Sequence, residues 1–182
     1  MNAYHQEQIE ALEIVHQHLK SHSSVRRDLL ALAADYLSFR AEIDRFLTTH
    51  FHRVCTQTCY QNRLSACCSR EGVITFFADM VVNVLVSSNP DIEDLISILQ
   101  APNPGFKCIY LTEDGCRWKV KPIVCEMFLC DTAQEKILTQ NSQLQRQWRL
   151  FEKKEDNTPG RINRFSLTSL RNILWKPATD RP

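Results

Sequence analysis

The sequence predicts a mainly α-helical domain with one short β-hairpin, organised around a cysteine-ligated metal centre. Three observations support this fold class. Apolar residues recur at three- and four-residue steps along most of the 182-residue chain, a turn sequence separates two short apolar runs after its midpoint, and the eight cysteines fall into two groups. With 43% apolar and 24% charged residues, the composition is that of a globular protein and not of a disordered chain.

Composition also excludes several classes of function. The chain carries 22 basic and 21 acidic residues, so its net charge of +1 gives no electrostatic reason to expect nucleic acid as a partner. Its four glycines are scattered and form neither a dinucleotide-binding fingerprint nor a P-loop, which argues against a nucleotide site. No H-E-x-x-H or G-x-S-x-G motif is present. Whether the protein is an enzyme stays open, and no catalytic residue is predicted.

The first half of the chain is predicted to be helical. Residues 1–52 form a helical pair, with a polar break at 20–24 and an end near His50. A third helix carries a broad apolar stripe over 76–85, and its other face holds Asp79 and Asn83. We expect that face to be exposed to solvent, with a supporting role beside a metal as the alternative. A fourth helix opens at Asn89-Pro90-Asp91, with Asn89 as its cap.

The second half contains the predicted hairpin and a polar helix. Cys108–Leu111 and Cys116–Val120 are expected to be strands joined by a turn at 112–115, where Gly115 permits a positive φ. Residues 53–131 form the predicted cysteine-cluster core. A helix over 132–156 and a tail with a short amphipathic helix over 157–182 complete one compact domain. The sequence leaves open whether the polar helix docks, and the terminal helices are expected to offer a surface for a protein partner.

The expected compartment follows from two features. The N-terminus has neither a basic start nor an apolar stretch, and the apolar patch over 73–86 is interrupted and shorter than a membrane span. We therefore expect a cytoplasmic protein with no signal peptide and no membrane partner. In a reducing cytosol a dense cysteine set is more typical of metal binding than of disulfides. The sequence does not predict the oligomeric state.

The cysteines are spaced C-x3-C-x7-C-C and, after thirty-nine residues, C-x7-C-x8-C-x4-C. Soft thiolates select zinc, Cu(I) or iron–sulfur clusters. The spacing does not decide between zinc and an iron–sulfur cluster, or between one and two centres, and it leaves open which residue of the adjacent pair binds. His50 and His52 are weaker candidates beside the first group. The predicted metal ligands are Cys55, Cys59, Cys67, Cys68, Cys108, Cys116, Cys125 and Cys130.

The second group resembles the YkgJ-like cysteine-cluster family, a zinc- or iron-chelating domain of the CxxCxxCC type. The resemblance rests on Cys108-Ile-Tyr-Leu, on Gly115-Cys116-Arg, and on Lys121-Pro122-x-x-Cys125-x-x-Phe128, and it covers roughly residues 55–130. Lysine stands where the family has the arginine of Arg-Pro, and Glu126 follows Cys125 where the family has arginine. The early cysteines keep the terminal Cys-Cys pair but are spread more widely.

The resemblance implies metal chelation without an assigned reaction. We therefore expect a metal-binding protein whose zinc ion or iron–sulfur cluster has a structural or redox role. A flagellin lysine N-methylase carries a similar cysteine cluster, so an iron–sulfur enzyme that modifies a protein side chain is one alternative. A thiol redox switch that holds no metal is the other.

Overall fold

The structure is a computed structural model that describes residues 3–60, 75–103, 105, 107–112 and 115–156. Within these residues the protein is mainly helical, as the sequence predicts. The predicted tail helix in 157–182 lies outside the described residues. The helices are α1 (Ala3–Ser21), α2 (Ser23–Phe51), a first π-helix (His52–Tyr60), α3 (Phe77–Val86), α4 (Asn89–Gln100), α5 (Ile123–Glu126), α6 (Asp131–Ala133), a second π-helix (Gln134–Leu138) and α7 (Ser142–Asp156).

A first hydrophobic core forms where α1 packs against α3 and α4. Leu12 and Val15 lie on the apolar face of α1 and are fully buried. The stripe predicted on α3 contributes Val81 and Leu85 to the same core. Burial of these side chains accounts for the helices in this half, since a helix forms stably where an apolar face is covered.

A second core lies at the other end of α2. Helix α2 contributes Val25 and Leu29 to the first core and Phe46 to the second, so it spans both. Helix α7 docks there through Trp148 and Phe151, and this answers the question the sequence leaves open. The ring of Trp148 stacks on Phe46 with centroids 6.0 Å apart, and Phe151 meets Phe46 edge to face at 5.3 Å.

The predicted β-hairpin is wrong. The extended pairing in the described residues is limited to two residues on each side, Leu111 with Cys116 and Thr112 with Gly115. Neither Cys108–Leu111 nor Cys116–Val120 forms a strand over its length, because the backbone groups are used elsewhere. The Leu111 N–H returns to the Cys108 carbonyl in a turn, and the backbone N–H and carbonyl of Val120 bind a side chain of α3.

Two predicted helix boundaries also need correction. The helix expected over 132–156 is interrupted at 139–141, and α7 begins anew where Asn141 Oδ1 accepts the N–H groups of Gln143 and Leu144 at 3.0 and 3.1 Å. Helix α4 is capped by Ser88 and not by Asn89: Ser88 Oγ accepts the Asp91 N–H at 3.4 Å, and Asp91 Oδ2 accepts the Ser88 N–H at 2.9 Å.

None of the helices in the described ranges combines the length and the apolar character needed to cross a membrane.

Candidate functional site

The described cysteines lie in two parts of the molecule. Cys108 and Cys116 are half-buried and pack against the first core, whereas Cys55 and Cys130 are half-buried against the second. Cys125 is half-buried within α5. The side chains of Cys59, Cys67 and Cys68 lie outside the described residues, so their predicted role stays a prediction.

Three of these cysteines are electrostatic neighbours. Burial, together with the smaller effect of the nearby thiols of Cys116 and Cys125, raises the pKa of the Cys108 thiol to about 11. Burial also raises the pKa of Cys116. Like charges in one place oppose ionisation, so without a cation the thiols of Cys108 and Cys116 stay protonated at neutral pH. We call Cys108, Cys116 and Cys125 the thiol site.

Backbone groups favour ionisation of two of these thiols. The N–H groups of Tyr110 and Leu111 lower the pKa of the Cys108 thiol, and that of Trp118 lowers the pKa of the Cys116 thiol. Each contribution favours the thiolate and opposes the effect of burial on the pKa. The turns after both cysteines therefore provide donors for negatively charged sulfur, and the charge of Lys121 also favours a thiolate at Cys116.

A buried ion pair lies beside the thiol site, at the junction of the two cores. Arg40 of α2 and Glu126 of α5 are 2% and 3% exposed, and Arg40 Nε donates to Glu126 Oε2 at 2.6 Å. The remaining guanidinium nitrogens donate to the hydroxyl of Tyr36 and to the backbone carbonyl of Lys121. Each of its three nitrogens thus has a protein acceptor, as a buried charge requires.

Asp79 and Asn83 of α3 are buried, so the expectation that they face solvent is wrong. Asn83 Nδ2 donates to the Val120 carbonyl at 2.8 Å, and Asn83 Oδ1 accepts the Val120 N–H at 3.0 Å. Burial raises the pKa of Asp79, although its carboxylate accepts the Phe76 N–H at 2.8 Å and the Ile123 backbone also favours its charged form. Both side chains are therefore bonded inside the protein, and their supporting role beside a metal stays a prediction.

A second polar chain leads from Tyr110 to the N-terminal helix. The Tyr110 hydroxyl, in a residue only 1% exposed, donates to Gln8 Oε1 at 2.5 Å. Gln8 Nε2 donates to the hydroxyl of Thr75, which lies 2.7 Å from the Tyr4 hydroxyl. Trp118 packs edge to face on Tyr110, with centroids 5.1 Å apart. These contacts fix the turn after Cys108 against α1.

The described residues do not by themselves complete a metal site. Within 3–60, 75–103, 105, 107–112 and 115–156, no three side chains of His, Cys, Asp or Glu are arranged to hold one metal ion. His52 is exposed on the first π-helix, and His50 contacts the ring of Phe46 at 4.9 Å between centroids.

Sequence reasoning missed Arg40 and Glu126. Arg40 directly follows the buried Phe39 and lies three residues before the buried Ile43. This position weakly indicates a buried arginine, which would require a charged partner. Glu126 directly follows Cys125, but the sequence does not indicate which residue neutralises it. The nearest clue was the pair of polar residues on the apolar helix α3.

Alkylation of Cys108 should show its raised pKa directly. In reduced, metal-free native protein we expect its rate with iodoacetamide to keep rising with pH up to about 11, because only the thiolate reacts. In urea-unfolded protein the rate should level off near the ordinary value of 9.0. Peptide mass spectrometry measures both profiles, and a native plateau at or below the unfolded one would contradict the burial of this thiol.

Comparisons of the chain with protein-family models, with curated proteins and with solved structures find no match.

Proposed function

We propose that this protein binds a thiophilic metal, either a zinc ion or an iron–sulfur cluster, through cysteine thiolates that include Cys108, Cys116 and Cys125. The observation that supports this proposal best is that the half-buried Cys108 thiol is influenced electrostatically by Cys116 and Cys125, while backbone N–H groups favour the thiolate at Cys108 and at Cys116. Metal binding displaces thiol protons, and N–H donors stabilise the sulfur charge that remains. The resemblance to the YkgJ-like cysteine-cluster family is part of the proposal.

The donor chemistry of the thiol site fits such a metal. Thiolates are the preferred ligands of zinc and of iron–sulfur clusters, and the positive charge of Lys121 favours the thiolate at Cys116. The ligand set needs more than the described residues provide. The sequence predicts that the additional ligands come from Cys59, Cys67 and Cys68, while Cys55 and Cys130 remain predicted ligands on the side of the second core.

The metal has a structural or redox role in this proposal. Residues 107–112, the turn that begins at Cys116 and the short helix α5 are joined by little regular structure. A shared metal ties them together, so part of its binding free energy becomes folding free energy. Within this proposal the protein is cytoplasmic, where thiols stay reduced, and the terminal helices offer the surface for a protein partner.

The raised thiol pKa values argue against a metal-free redox switch at this site. Redox-sensing cysteines have low pKa values and are accessible, because the thiolate reacts with the oxidant. Burial raises the pKa of both Cys108 and Cys116. A protonated, half-buried thiol reacts slowly, so these residues suit metal binding better than oxidation sensing.

Metal analysis of cysteine variants tests the proposal. Untagged wild-type protein purified without oxygen should contain at least about one zinc per chain, or iron with a matching amount of acid-labile sulfide. Cys116→Ser should lose most of this metal, and Leu150→Ala, an exposed position on α7, should keep all of it. Wild-type protein without metal, or full metal in Cys116→Ser, would overturn the proposal. Cys55→Ser and Cys130→Ser assign the cysteines of the second core.

A further inference from the structure

Buried side chains of two helices hold the segment that connects Cys116 to Cys125. The side-chain amide of Asn83 binds both backbone groups of Val120, at 2.8 and 3.0 Å. The next residue, Lys121, is held through its carbonyl, which accepts a hydrogen bond from the Arg40 guanidinium. Consecutive residues are thus fixed by α3 and by α2.

The same two helices hold the second half of the segment. The Ile123 backbone N–H stabilises the charged form of the buried Asp79 carboxylate, and Glu126 accepts from Arg40 at 2.6 Å. Cys125 lies between these two anchor points. Residues 120–126 are therefore tied to the core through side-chain bonds and not through a β-ladder, which is the physical reason that no long hairpin forms here.

Burial gives these bonds their rigidity. Arg40 and Asn83 are 2% and 0% exposed, so water does not compete for their hydrogen bonds. In a medium of low dielectric constant such bonds are stronger, and a broken one leaves a group unsatisfied. Arg40 differs from the other anchors in reaching two points of the segment at once, the Lys121 carbonyl and the Glu126 carboxylate.

We infer that Arg40 is a positioning residue for the thiol site. It binds Lys121 and Glu126, and through them it fixes the backbone on both sides of Cys125 and places this residue relative to the segment that begins at Cys116. The purpose of this positioning rests on the proposed metal-binding function, whereas the positioning itself is a property of the metal-free protein. Loss of a residue that orients a metal ligand typically lowers metal affinity by about 10–100-fold.

Arg40→Lys is the sharpest variant. Lysine keeps the positive charge next to Glu126, but its single nitrogen cannot reproduce the planar fork that reaches Tyr36, Lys121 and Glu126 together. The charge of the network is preserved while its geometry is lost. If this variant does not fold, Glu126→Gln is the second choice, because it keeps an acceptor of the same size and removes only the charge.

Native-state alkylation provides a readout that does not require metal. In reduced, metal-free Arg40→Lys we expect Cys116 and Cys125 to react about tenfold faster than in wild type. A tenfold change corresponds to a decrease of about 1.4 kcal/mol in the free energy of local opening of this segment. Cys55 and Cys130, which pack on the second core, should stay within about twofold and serve as internal controls. An equal increase at all four cysteines would mean a merely structural role, and no increase would also overturn the inference.

Zinc affinity provides the second readout. By chelator competition we expect Arg40→Lys to bind zinc about 10–100-fold more weakly than wild type, and an unchanged affinity would overturn the role of Arg40 in metal binding. Wild-type protein that binds no zinc or iron would refute the proposed function itself. The alkylation pattern would still decide whether Arg40 positions the segment.

Discussion

Replacing Arg40 with methionine is expected to lower the free energy of unfolding by about 3–5 kcal/mol, as removal of one partner from a buried ion pair generally does. Methionine fills a similar volume but leaves the carboxylate of Glu126, only 3% exposed, without its cation. The Lys121 carbonyl and the Tyr36 hydroxyl lose a donor as well. Urea denaturation followed by circular dichroism measures the change.

Two further variants test whether the loss of stability comes from the buried ion pair or from the removal of any arginine. Arg27→Met is the matched control on the same helix, since Arg27 and Asp28 form an ion pair at 3.5 Å but are 79% and 64% exposed. We expect it to change stability by less than about 1 kcal/mol. Adding Glu126→Leu to Arg40→Met should recover most of the loss, because the uncompensated charge is gone. A loss below about 1 kcal/mol in Arg40→Met would show that Glu126 does not depend on this partner.

Trp148→Ala is expected to destabilise the protein by about 3–5 kcal/mol, the range for a large aromatic residue removed from a core. Trp148 is 4% exposed and stacks on Phe46, so its loss leaves a cavity between α7 and α2. Because Phe151 of α7 also packs on the ring of Phe46, the whole of α7 should loosen together. Hydrogen exchange along 142–156 should therefore accelerate more than exchange in α1.

Leu150→Ala is the control for this second variant. Leu150 lies two residues away on the same helix but is 63% exposed, so the substitution should change stability by less than about 0.5 kcal/mol. Similar losses for Trp148→Ala and Leu150→Ala would contradict the docking of α7 on the second core.

Helix positions could be predicted because their signals are local. The polar break at 20–24 lies where α1 ends at Ser21 and α2 begins at Ser23, and the predicted end near His50 is within one residue of Phe51. The apolar stripe of α3 was also visible as a period of three to four residues. Such signals need only neighbouring residues, so they hold without knowledge of the tertiary structure.

The hairpin could not be predicted correctly because the turn residues determine the backbone pairing only immediately beside the turn. Thr112 and Gly115, which were predicted to be turn residues, pair with each other instead. Beyond that point Val120 bonds to Asn83, a residue 37 positions away, and Arg40 reaches Lys121 and Glu126 across 81 and 86 positions. No periodic pattern in a single sequence reports contacts of this range, so Asp79 and Asn83 looked like a solvent-exposed face.

For the candidate site, cysteine number and spacing predict thiolate chemistry, and this stays a prediction. In the structure Cys116 and Cys125 influence the pKa of Cys108. Spacing could not show that Cys55 and Cys130 pack on a different core, because that division depends on where α2 crosses from one core to the other. The sequence also lacks any signal that would pair Arg40 with the residue after Cys125.

X-ray absorption spectroscopy at the metal edge tests the central claim most directly. It reports the element bound to the untagged, anaerobically purified protein and the identity and distance of its ligand atoms. We expect a shell of sulfur atoms at about 2.3 Å around zinc, or around iron with sulfide, reduced or absent in Cys116→Ser. A shell made only of oxygen or nitrogen near 2.0–2.1 Å would contradict thiolate binding.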